Sequence, residues 1–156
     1  MSFDTYSVSV QHDDFDVGAE IDQLRKDSSQ IGAIASFVGL VRDINEQQTV
    51  SVLELEHYPG MTEKSIGDII ATAADRWQLM GVRVIHRVGK LLPTDQIVLV
   101  AVASMHRGDA FAACEFIMDY LKTRAPFWKK ELTPEGERWL DARSADAAAA
   151  KRWEQT

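Results

Sequence analysis

Two short apolar runs constrain this chain more than any other feature. Residues 31–41 (IGAIASFVGLV) and 97–103 (IVLVAVA) are almost wholly apolar, small and β-branched. Neither approaches the roughly 18 residues of a membrane-spanning helix. Gly32 and Gly39 disfavour a helix in the first run, and both runs read as buried strands.

The remaining pattern supplies helices and hairpins. Tyr6, Val8 and Val10 alternate with serines, which predicts a half-exposed first strand. Val17, Ile21 and Leu24 recur at helical spacing behind Asp16, an N-cap residue, and predict a helix over 17–27. Residues 43–48 (DINEQQ) read as a polar turn or loop. VSVLELEH over 50–57 alternates as a strand delivering His57 and Tyr58, and Pro59-Gly60 punctuates the chain. Ile66, Ile69, Ile70, Ala73 and Trp77 fall on one face of a helix over 62–77. Val82, Val84 and Val88 alternate with Arg83, Ile85 and Arg87 in a strand, and 91–95 (LLPTD) reads as a turn. Asp109 is placed to cap a helix reaching about Thr123, with Phe111, Cys114, Ile117, Met118 and Leu121 inward and Pro126 ending it. A short strand over 127–132, a loop, and a polar Ala-rich helix in a mobile tail (144–156) complete the chain. The order β-α-β-β-α-β-β-α-β predicts one α+β domain over 1–156, built of mostly antiparallel hairpins and packed helices.

Composition narrows the function classes. The chain has 156 residues, the size of one domain, with 46% hydrophobic and 26% charged residues, ordinary for a soluble globular protein. Its single cysteine, Cys114, excludes an internal disulfide framework and fits a reducing compartment. The first residues lack the basic and apolar regions of a secretory signal. A cytoplasmic protein without membrane association is the expectation. A net charge of −7, from 17 Lys+Arg against 24 Asp+Glu, argues against a nucleic-acid binder working by its overall field. The charge is uneven, however: residues 106–130 gather Arg107, Lys122, Arg124, Lys129 and Lys130 beside His106, either a place to hold a small anion or a solvated surface of mixed charge, which composition alone favours.

Four stretches pair reactive side chains with backbone punctuation: 39–43 (GLVRD), 56–61 (EHYPGM), 104–109 (SMHRGD) and 122–131 (KTRAPFWKKE). His106 and Arg107 stand where a strand end meets a helix N-terminus, which collects N–H donors and a positive dipole. Arg42 ends a buried strand, where a guanidinium can hold a phosphate bidentately. Lys122 at a helix C-terminus is explained by the helix dipole alone. Phe127 and Trp128 bring apolar bulk beside Lys129, and desolvation lowers a lysine pKa toward amine or acid–base chemistry. Residue type by itself leaves each lysine structural. Cys114, mid-helix among apolar residues, reads as an inert thiol. The four histidines lack metal-ligand spacing, phosphate-loop motifs are absent, and no cofactor is implied. His86, within an alternating strand, reads as a satisfied structural histidine.

From about residue 30 to 143 the chain resembles the MoaE family, the large subunits of molybdopterin synthases. The resemblance rests on 39–42, LELEHYPGMTEK (53–64), VIHRVG (84–89), the Ser104, His106 and Arg107 group, and FIMDYLKTRAPFWKKE (116–131). It implies an α/β-hammerhead type of fold and a homodimer at the centre of a heterotetramer. A ubiquitin-like small subunit would insert a Gly-Gly tail carrying a thiocarboxylate. Two sulfurs would pass in turn to cyclic pyranopterin monophosphate, with opening of its cyclic phosphate. The resemblance makes Lys122 and Lys129 catalytic, with Lys122 nearest the incoming tail. Arg42, the backbone of Leu40 and Val41, His106 and Arg107 would hold the phosphate and pterin. Lys130 and Glu131 would complete the pocket wall, and Arg143 matches a further arginine, acting in the same chain or from a dimer mate. Two other readings are a non-catalytic dimeric adaptor for a ubiquitin-like tail and a plain pterin-phosphate binder.

Overall fold

The computed structural model describes residues 5–45, 47–140 and 144–155. The chain runs through β1 (Tyr6–Gln11), α1 (Val17–Arg25), β2 (Ala33–Leu40), β3 (Ile44–Asn45), β4 (Gln48–Thr49) and β5 (Val52–His57). It continues with α2 (Met61–Arg76), β6 (Gly81–Arg87), β7 (Gly89–Leu91), β8 (Gln96–Ser104) and α3 (Arg107–Arg124). Strands β9 (Phe127–Thr133) and β10 (Gly136–Leu140), helix α4 (Ser144–Lys151) and a 3₁₀ turn (Arg152–Gln155) close it. The fold is α+β, as expected.

One sheet has the order β1-β6-β8-β2, with β1 parallel to β6 and the other pairs antiparallel. Helices cover both of its faces, which is why its strands read as apolar runs. On one face Val82, Val84, Val98, Val100 and Val102 pack against Ile66, Ile70, Ala113 and Ile117 of α2 and α3. On the other, Leu24 of α1 meets Ile85, Leu99 and Ala101. The second sheet, β10-β9-β5-β7, is antiparallel throughout. A small cluster of Val41, Leu53, Leu55, Val88 and Leu91 joins the sheets.

Asp16 caps α1 as expected, its carboxylate accepting from the Ala19 amide at 3.0 Å. Asp109 does not cap α3. That helix starts earlier, behind His106, and the Asp109 carboxylate instead accepts from the Gln78 amide at 3.3 Å, tying α3 to the end of α2. Phe111, expected inward, is exposed because it lies on the helix face turned from the sheet. Residues 43–48 form more than a loop: β3 and β4 pair as a small hairpin, turned by Gln47 in the left-handed region (φ 66°). A strand, β10, replaces the expected loop after β9, because Thr133 and Gly136 close a tight turn through the Thr133 hydroxyl. The C-terminal helix, expected in a mobile tail, is docked. Trp153 stacks edge-on against Trp77 and Phe116, and its indole donates to Asp119 at 2.7 Å.

Candidate active site

A cavity of about 490 Å³ opens between the end of β2, the inner face of β9 and the C-terminus of α3. That volume suits a small organic ligand. Gly39 lets the β2 end approach β8: a Cβ there would stand 2.8 Å from the Val98 side chain. The register slips between Gly39 and Leu40, so the strand bends away. Val41 is pinned beyond the bend, its amide donating to the Asp95 carbonyl and its carbonyl accepting from the Thr94 amide, each at 2.9 Å. This anchoring presents Arg42 at the cavity mouth, exposed and without an ion-pair partner among the described residues.

The last turn of α3 carries Lys122 into the same cavity, also exposed and without an ion-pair partner among the described residues. Pro126 ends the helix, and its carbonyl accepts from the Thr62 hydroxyl at 3.0 Å, which fixes the turn into β9. Along β9, successive side chains alternate faces. Phe127, Lys129 and Glu131 therefore look into the cavity, while Trp128, Lys130 and Leu132 face away. Glu131 is buried as a carboxylate. It accepts from Asn45 Nδ2 at 2.5 Å and from Arg138 Nε and Nη2 at 2.9 and 2.8 Å. This clamp binds the β3–β4 hairpin to β9 and balances the carboxylate's charge; Arg42, Lys122, Lys129 and Asp146 are the other acidic and basic residues of the lining.

Six of the expected residues, Leu40, Val41, Arg42, Lys122, Lys129 and Glu131, thus line one cavity. Lys130 does not, because the strand alternation turns it outward to Glu54 (3.3 Å) and Glu137 (3.6 Å). His106 and Arg107 are exposed at the opposite end of α3 from Lys122, roughly 22 Å away at 1.5 Å per helical residue. They do not line this cavity. Arg143 lies outside the described residues. Sequence reasoning missed three contributors: Asn45, whose partner Glu131 is distant in sequence, Arg138, which reaches Glu131 across the unexpected β9–β10 hairpin, and His86. The His86 ring is buried in the cavity wall, stacked on Phe127 at 3.7 Å between centroids. Burial pushes its pKa down to about 3, helped by the charges of Lys129, His57 and Lys122. Cys114 lies apart, its thiol facing the Val100 carbonyl at 3.6 Å and pushed up to about 11 by burial and then Glu115.

The chain is an α+β protein whose ligand-sized cavity brings Arg42, Lys122 and Lys129 together beside the carboxylates of Glu131 and Asp146. The MoaE protein family model matches residues 10–124, and the chain belongs to that family. It is 65% identical over 147 residues to a molybdopterin synthase catalytic subunit from Ralstonia nicotianae, covering 94% of this chain and 84% of that protein. A counterpart of the same name from Vibrio cholerae is 61% identical over 149 residues, covering 96% and 99%. Among solved structures, a molybdopterin biosynthesis MoaE protein from Burkholderia ambifaria superposes with a TM-score of 0.83 at 59% identity, covering 96% and 98%.

Proposed function

We propose that this chain is the catalytic subunit of a molybdopterin synthase. It would transfer sulfur from a thiocarboxylated Gly-Gly tail of a ubiquitin-like small subunit to cyclic pyranopterin monophosphate, forming the dithiolene of molybdopterin. The observation that carries this reading is the convergence of Arg42, Lys122 and Lys129 on one cavity of about 490 Å³. The names of its relatives support it. Arg42 and the neighbouring backbone of Leu40 and Val41 hold the phosphate. Lys122, on the helix end, meets the incoming tail. Lys129, deeper on β9, balances charge or moves protons at the pterin side chain.

Cys114 supports the same division of labour. A thiol at a pKa of about 11 carries almost no thiolate at neutral pH, so it is a poor sulfur donor and sulfur has to arrive on a partner. The separation along α3 supports a homodimer. His106 and Arg107 of one copy would complete the cavity of the other, within a two-plus-two heterotetramer. A cytoplasmic setting belongs to the same proposal; among the described residues no helix is long and apolar enough to cross a membrane.

Titration with cyclic pyranopterin monophosphate tests the assignment of the cavity. Arg42→Ala removes a charge-assisted contact worth about 1.5–3 kcal/mol, so affinity should fall roughly ten- to a hundredfold with the fold intact. Unchanged affinity would place the phosphate elsewhere.

A further inference from the structure

His86 lines the cavity, yet the sulfur-transfer reading gives it no task. It sits on the central strand β6, between Val10 of β1 and Val98 of β8, and is 7% exposed. Two contacts fix its ring. The imidazole stacks on Phe127 with an interplanar angle of 18°, and Nδ1 lies 2.8 Å from the Arg87 carbonyl oxygen. A carbonyl can only accept, so Nδ1 carries the proton and Nε2 keeps its lone pair. Phe127 and Lys129 share the inner face of β9, so the stacked ring and Lys129 line the same cavity wall. The held-down pKa of the ring names Lys129 first among its charged neighbours. Such a ring cannot work as a general base near pH 7, because it takes no proton there. It can serve as a fixed, uncharged acceptor.

We propose that His86 is a positioning residue that acts through Lys129: when substrate fills the cavity, its Nε2 accepts from the Lys129 ammonium and aims that group at the substrate. This rests on the reading of Lys129 as a catalytic group. The Phe127 stack and the Arg87 carbonyl hold the acceptor in place without any ligand. A buried histidine kept only for packing would instead be replaceable by a ring of similar shape.

The test is single-turnover sulfur transfer with thiocarboxylated small subunit and saturating cyclic pyranopterin monophosphate. His86→Phe keeps the stack and deletes the acceptor. It should fold as the parent does despite losing the Nδ1 donor to Arg87, its half-saturating substrate concentration should stay within about twofold, and the single-turnover rate at saturation should fall roughly ten- to a hundredfold. His86→Gln puts an amide oxygen near the Nε2 position and should recover most of the rate despite poorer packing. If Phe is not accommodated, His86→Leu carries the same test with less bulk. The losses of His86→Phe and Lys129→Ala should not add in the double variant, because both remove one interaction. Parent-like turnover of His86→Phe, equal losses in the Phe and Gln variants, or additive losses would each overturn the proposal. An inactive Lys129→Ala beside a parent-like His86→Phe would leave the function standing and remove only His86. A fully active Lys129→Ala would remove the role of Lys129 and this inference with it.

Discussion

Burial decides which side chains of this protein can do chemistry. Cys114 is the only cysteine and a natural suspect in a sulfur-transferring protein, yet it packs mid-helix against β8. Cys114→Ala should cost on the order of 1 kcal/mol of stability and leave turnover per folded molecule unchanged. Urea melts beside activity assays check this, and a loss of rate exceeding the loss of folded protein would make the thiol a participant. His86 gives a pH signature. Its pKa is about 3 in the folded chain against an ordinary 6.5, so the unfolded state binds the extra proton between those values. The stability that a neutral His86 contributes is complete above pH 6.5 and is lost as the pH falls toward 3. His86→Phe should therefore lose stability less steeply with acid over that range. An identical slope would mean that the ring does not stay neutral. Arg42 was legible at this scale because it ends an apolar strand. His86 was not, because an alternating strand does not reveal that helices cover both faces.

At the scale of elements, β9 sorts the residues of one motif. Lys129 and Lys130 are neighbours in sequence, but the period of two sends one into the cavity and the other to Glu54 on the outer face. The buried strands β2 and β8 and the helices α2 and α3 were readable from periodicity, because their apolar faces are local signals. The β3–β4 hairpin and β10 were not. The first is a two-residue pairing and the second follows a tight turn, and Glu131 ties both to β9 by gathering Asn45 and Arg138. Breaking that clamp should be costly, since a buried carboxylate left without its cation destabilises by about 3–5 kcal/mol. Arg138→Ala should lower the urea midpoint accordingly and reduce substrate affinity through the loosened cavity wall. Adding Glu131→Gln should restore much of the stability. If Arg138→Ala melts like the parent, the clamp contributes nothing and the hairpin is held by other contacts.

At the scale of the whole molecule, two of the expected cationic residues fall at opposite ends of one helix, which a single chain cannot bring together. With Lys122 at one end of α3 and Arg107 at the other, a cavity that uses both needs two copies. Light scattering should find a homodimer that takes up two small subunits. Mixing inactive Lys122→Ala with inactive Arg107→Ala should recover activity, because a mixed dimer holds one cavity with both residues intact; no recovery would confine each site to one chain. The family resemblance pointed to these residues together, and the length of α3 is what separates them. Reconstituted sulfur transfer shows whether the amine of Lys122 is required. With thiocarboxylated small subunit and cyclic pyranopterin monophosphate, Lys122→Ala should form dithiolene product roughly 10²–10⁴-fold more slowly while folding and assembling normally. A lysine that serves only the helix dipole would cost about 0.3–1 kcal/mol of stability and no specific rate. Lys122→Arg keeps the charge but cannot release a proton near neutral pH. The arginine variant should fail as well; parent-like turnover by Lys122→Arg would mean that Lys122 supplies only charge.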